Sequence, residues 1–125
     1  MRQHTIRKPV GIEGIGLHSG KVARITLSPA PADFGVVFRA RATGERIPAR
    51  ADTVVNSHYA TTVGVNGTRI QTVEHLMAAV SGFGVDNVEI EVDGPEIPAL
   101  DGSAKPFVAL LSLAGRVQQS RGCGR

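Results

Sequence analysis

The hydrophobic residues of this chain change their period along its length, and that change confines what the chain can fold into. In Val22 to Leu27, Ala23, Ile25 and Leu27 share one face and Arg24 and Thr26 the other. Val88-Glu89-Ile90-Glu91-Val92 alternates at every step. Both are the period-two pattern of a strand with one face buried and one wet. Between them, Val73, Leu76, Met77, Val80 and Phe83 recur at i, i+3, i+4, i+7 and i+10, the stripe of a helix lying on a core. Phe107, Leu110, Leu111 and Ala114 repeat the stripe later. Thr72 is placed to cap the first helix, and Gly82 or Gly84 to stop it. Ser103 is placed to cap the second, Pro106 falls in its first turn, where proline is tolerated, and Gly115 ends it. A further short apolar run covers residues 35–39, behind the turn-rich Pro29-Ala30-Pro31-Ala32-Asp33. Tyr59 to Val65 and Thr68 to Ile70 flank Asn66-Gly67, a strong hairpin signal. Strands that dominate, with two helices on one face, predict an α+β class: a mixed or antiparallel sheet packed against two helices.

A length of 125 residues suits one domain. Hydrophobic residues at 42 % and charged residues at 20 % exclude a mostly disordered chain. Trp is absent and aromatics are 4 %, so Val, Ile, Leu and Ala must build the core. The single cysteine, Cys123, excludes a disulfide framework and a Cys-type zinc cluster. No apolar run follows the charges of residues 1–5, and none approaches the ~18 residues of a membrane span. The expected compartment is therefore the cytoplasm. The periodic pattern stops after Gly115, so residues 1–116 read as the domain and residues 117–125 as a tail or the start of a linker. Charge is uneven: residues 1–50 hold nine Lys or Arg against three acids, and residues 86–101 hold six acids and no base. A solvated surface accounts for this plainly; a basic half facing an anionic partner is the sharper reading. Nucleic acid is not expected, because the basic residues are scattered through strand-like segments with few aromatics between them.

Chemistry is concentrated in a few places. With the first helix starting after Thr72, Glu74 and His75 lie in its first turn, about 100° apart, and both reach a cleft at the helix tip. A zinc hydrolase needs such residues, a His for the metal and a carboxylate to take a proton from water. A lone Glu-His pair is common, however, and serves equally as a first-turn acid beside a boundary histidine. Gly14-Ile15-Gly16-Leu17-His18-Ser19-Gly20 is not a dinucleotide loop: its spacing is wrong, and a strand pattern follows it. By itself it is a tight turn with His18 exposed. His58, at the beginning of the hairpin strand, reads first as a surface residue. In the turn-rich stretch Pro95-Glu96-Ile97-Pro98-Ala99-Leu100-Asp101-Gly102-Ser103, Asp101 suits an Asx turn or helix-cap support.

Taken together, residues 14–20, Thr-Val-Glu-His-Leu at 72–76 and Pro-Glu-Ile-Pro-Ala-Leu-Asp-Gly-Ser-Ala at 95–104 say more. In this order and at these separations, over about residues 1–116, the chain resembles the UDP-3-O-acyl-N-acetylglucosamine deacetylases of Gram-negative lipid A synthesis. The resemblance implies one half of a two-domain β-α-α-β sandwich. It implies that His75 ligates zinc, with iron as an alternative, and that Glu74 is the general base for releasing acetate. Leu17 and His18 would lie near metal and substrate, Thr61 on a strand lining the site, and His58 close by. A second domain would supply a His and an Asp ligand four residues apart, and no His-x-x-x-Asp occurs in this chain. Expected partners are thus the UDP-linked acylated glucosamine, a second domain or a second copy of the chain, and a transient membrane-surface contact. The resemblance implies an amino-terminal half that is inactive alone. The rival expectation is a non-catalytic or homodimerising relative that binds the nucleotide-sugar lipid or a partner protein.

Overall fold

The computed structural model describes residues 2–16, 19–50, 53–56, 61–65 and 67–122. It is an α+β fold, as the change of period requires. Strand β2 (Val10–Ile15) pairs antiparallel with β3 (Val22–Pro29), which pairs antiparallel with β9 (Val88–Asp93). On its other side β9 runs parallel to β4 (Val36–Ala40), and β5 (Arg46–Pro48) closes that edge. The order in this five-stranded sheet is β2-β3-β9-β4-β5. A three-stranded meander holds β6 (Val54–Asn56), β7 (Thr61–Val65) and β8 (Thr68–Gln71). The hairpin foreseen around residues 66–67 is the β7–β8 pair, with Val63 opposite Ile70.

Register turns the alternating pattern into a layer. Leu27, Ile90, Phe38 and Ile47 stand side by side across four strands, and all four are fully buried. Helices α1 (Glu74–Phe83) and α2 (Lys105–Ala114) complete the core with Leu76, Ala79 and Val80 from one and Phe107, Leu110, Leu111 and Ala114 from the other. Gly84 ends α1 in the left-handed conformation at φ 84°, where glycine carries no Cβ penalty.

The outward residues of the large sheet settle the uneven charge. Arg39 pairs with Glu91 and reaches Glu89 at 3.9 Å; Arg46 bonds Glu89 at 2.9 Å, Arg41 lies 3.7 Å from Asp93, and Arg24 pairs with Glu13. The acidic strand β9 sits between basic neighbours, so much of the imbalance along the sequence cancels in space. This is the solvated-surface reading, and these arginines are engaged within the chain.

One expectation fails. Residues 117–125 were expected to form a tail or linker start, but Arg116–Gly122 is strand β10, antiparallel to β1 (Arg2–Ile6). Its residues are mostly polar, so no hydrophobic alternation announces it. Backbone pairing and one amide network hold it. Asn87, only 2 % exposed, accepts from Gly35 N–H at 2.8 Å and donates to Gln3 Oε1 at 2.8 Å and Gln119 Oε1 at 2.7 Å. Gln119 in turn donates to Ala30 O at 2.9 Å. Residues 123–125 lie outside the described residues.

Candidate functional site

Helix α1 begins differently from the capping pattern. Val73 occupies the N-cap position with no side-chain capping bond. The Thr72 hydroxyl instead donates to Glu96 Oε2 at 2.7 Å. Thr72 has φ 62°, which costs a β-branched residue about 1–3 kcal/mol and persists only where its surroundings enforce it. They do so through backbone bonds on either side: Val73 N–H donates to Thr61 O at 3.1 Å, Gln71 N–H to Pro95 O at 3.0 Å, and Ile97 N–H to Gln71 O at 3.1 Å.

Glu74 and His75 occupy the first turn of α1, half-buried. The acid there complements the positive end of the helix dipole. Glu74 Oε1 accepts a long bond from Thr61 N–H, 3.4 Å, so the hairpin strand β7 steadies the carboxylate. With Thr72, both residues line a cavity of about 300 Å³ whose other walls are residues 98–102 and Phe107.

The far wall is rigid. Asp101 Oδ1 accepts from the Ser103 hydroxyl at 2.6 Å and from Ser103 N–H at 2.9 Å, and Ser103 Oγ accepts from Lys105 N–H at 3.2 Å. This is the Asx turn expected of Asp101, and it leads the chain into α2 without Ser103 being the formal cap, which is Ala104. The Ser103 hydroxyl, and next its amide, hold the Asp101 carboxyl below the usual carboxylate range. A lowered folded-state pKa contributes stability that is present above the unfolded value and lost as pH falls through the folded one. Ser103→Ala should therefore move the Asp101 titration upward, read from its carboxyl carbon shift in NMR. An unmoved curve would contradict the assignment.

The first glycine loop meets the same wall. Gly20 N–H donates to Gly16 O at 3.0 Å, Ala99 N–H to Ile15 O at 2.9 Å, and Ser19 N–H to Glu96 Oε1 at 2.9 Å. A Cβ on Gly16 would run into the Glu96 carboxylate and the Ser19 hydroxyl, so the position demands glycine. Leu17, His18 and His58 lie outside the described residues. Of the expected site residues, the structure thus brings together Glu74, His75 and Thr61. Glu96, which ties two of the motifs to the third, was passed over in the sequence. Its one signal was an acid set among Pro95, Ile97 and Pro98 in an otherwise apolar stretch.

Among the described residues, no group of three or more His, Cys, Asp or Glu side chains could hold a metal ion. What the chain offers is one imidazole and one adjacent carboxylate at a cavity. That donor set fits one corner of a zinc site, which takes three protein ligands and an open position.

Residues 3–123 match the family model described as UDP-3-O-acyl N-acetylglycosamine deacetylase. A UDP-3-O-acyl-N-acetylglucosamine deacetylase of an Anaeromyxobacter species is 51 % identical over 120 residues, 96 % of this chain and 40 % of that protein. Those of Oleidesulfovibrio alaskensis and Myxococcus xanthus are each 50 % identical, over 97 % and 94 % of this chain. The chain spans about 40 % of the length of these relatives.

Proposed function

The chain belongs to the UDP-3-O-acyl N-acetylglycosamine deacetylase family, and on that footing we propose that it forms one wall of a zinc-dependent site that removes the N-acetyl group of UDP-3-O-acyl-N-acetylglucosamine in lipid A biosynthesis. The observation that carries this reading is the Glu74–His75 pair, set on the first turn of α1 at a cavity. His75 would ligate the metal, with zinc preferred and iron compatible with such donors. When bound, the metal would supply Lewis acidity to the acetamide carbonyl and to water. Glu74, one oxygen steadied by Thr61 N–H, would accept at its other oxygen the proton of the water that adds to the acetamide carbonyl. Breaking the C–N bond then releases acetate, and that proton passes to the departing amine nitrogen. Thr61, Leu17, His18 and His58 would contact the substrate.

The remaining ligands, a His and an Asp, would come from the part of the relatives that this chain does not span. The helix surfaces favour such a partner. Leu113 is 67 % and Val108 40 % exposed on α2, beside exposed Ala109 and Ser112. Beyond Glu74 and His75, α1 bears no ionisable side chain, and α2 bears only Lys105. A partner seated on this face would cover Val108 and Leu113 without having to desolvate a charge. Among the described residues, no helix is long and apolar enough to cross a membrane. We place the proposed reaction in the cytoplasm, with transient membrane-surface contact while the acyl substrate is collected.

Metal content and acetate release should be measured for the 125-residue chain alone and mixed with the remaining part of a relative. Acetate is expected only from the mixture, with metal retained. A mixture that forms a complex yet releases no acetate would overturn the reading, and so would equal release by the chain alone.

A further inference from the structure

Glu96 is fully buried, and among the described residues no other acid is. A buried carboxylate is costly unless hydrogen bonds satisfy it, so its bonds report what it is for. Its two oxygens accept from different segments: Oε2 from the Thr72 hydroxyl, and Oε1 from the Ser19 amide, 77 residues away. Gln71, just before Thr72, also bridges Glu96 through the backbone. The carboxylate therefore stands between Ser19 and the entry of α1, and Gly16 leaves room for it. An apolar side chain could fill this space without the cost of desolvating a charge. What it could not do is grip a loop and a left-handed threonine at once.

We propose that Glu96 is a positioning residue: it holds Thr72 in the conformation that aims Glu74 and His75 at the cavity, and it fastens the backbone at Ser19 to the same carboxylate. Its consequence for catalysis rests on the deacetylase reading; its structural role does not.

The test uses NMR on the purified chain with Glu96→Ala, Thr72→Gly and Thr72→Ser. Should Glu96→Ala fail to fold, Thr72→Gly decides, because glycine adopts a φ near 62° without steric cost while lacking the hydroxyl. Thr72→Gly is expected to stay folded, yet shift the His75 ring resonances and speed Val73 amide exchange about tenfold. Thr72→Ser should restore both. Glu96→Ala should speed exchange at Ser19 and Val73 but not at Gly35, whose amide is held by Asn87 instead. Wild-type His75 and Val73 signals in Thr72→Gly overturn the proposal, as does faster exchange everywhere including Gly35. With the remaining part of a relative added, Thr72→Gly should lower kcat about tenfold and leave KM little changed. If the wild-type mixture releases no acetate, the deacetylase reading fails, while the exchange and ring signals still decide the role of Glu96.

Discussion

Glu74→Gln, in the enzyme completed by the rest of a relative's length, should lower acetate release about 10²–10⁴-fold, the contribution of a positioned general base. The substitution is chosen to isolate basicity. Glutamine has nearly the same volume, and its carbonyl oxygen can still accept from Thr61 N–H, the bond that Glu74 Oε1 makes at 3.4 Å. Glu74 is half-buried at a cavity edge, so stability should stay within about 0.5 kcal/mol. The loss should appear in kcat, because a base acts on the transition state and not on substrate binding. Metal content should be unchanged, whereas His75→Ala should lose metal and activity together. Steady-state kinetics, metal analysis and a thermal melt read all three. A loss below tenfold would place the base elsewhere.

Asn87→Ala should be the most damaging of the polar substitutions for stability, by about 3 kcal/mol, because it strands several partners at once. The Asn87 amide uses its oxygen for Gly35 N–H and both amino hydrogens for Gln3 and Gln119. Its backbone carbonyl accepts the Thr5 hydroxyl at 2.6 Å, and the Thr5 oxygen accepts Ala30 N–H at 3.1 Å. Asn87→Asp is nearly isosteric and should cost a similar amount, since a buried carboxylate would face the side-chain oxygens of Gln3 and Gln119. Urea unfolding measures both as a lower midpoint at unchanged slope. A cost for either below about 1 kcal/mol would mean that water replaces the network.

What could be read in advance follows the range of the forces involved. Strands β3 and β9 and both helix stripes were legible because burial of one face writes a period into the residues themselves, and β7 and β8 were legible from the Asn66-Gly67 turn signal between them. Asp101 was legible as an Asx turn because its partner, Ser103, is two residues away. Thr72 was misread because its hydroxyl is diverted to a carboxylate 24 residues later, a choice that no local rule contains. Strand β10 was missed for the complementary reason. Gln118, Gln119 and Ser120 bury no stripe, and their order comes from pairing with residues more than a hundred positions earlier. In the site, the helical phase of the stripe placed Glu74 and His75 in the first turn, whereas Glu96 looked like one more residue of a stiff turn. Uneven charge suggested an anionic partner only until the register set Arg39 and Arg46 beside Glu89 and Glu91.

The β1–β10 pairing also sets an order of events. Ile6 meets Arg116 and Arg2 meets Gly122, so closing this ladder joins nearly opposite ends of the described chain. Loop-closure entropy grows with the logarithm of the separation, and contacts of this span reward the chain only after shorter loops have formed. The hairpins β2–β3 and β7–β8 can zip locally, and helix α1 follows directly after β8. On a ribosome, β1 must then wait for nearly the last described residues to emerge before its antiparallel partner β10 is available. Through that interval Gln119 is not yet in place beside Asn87, and the side of β1 that β10 will cover is an open edge at which other chains can add.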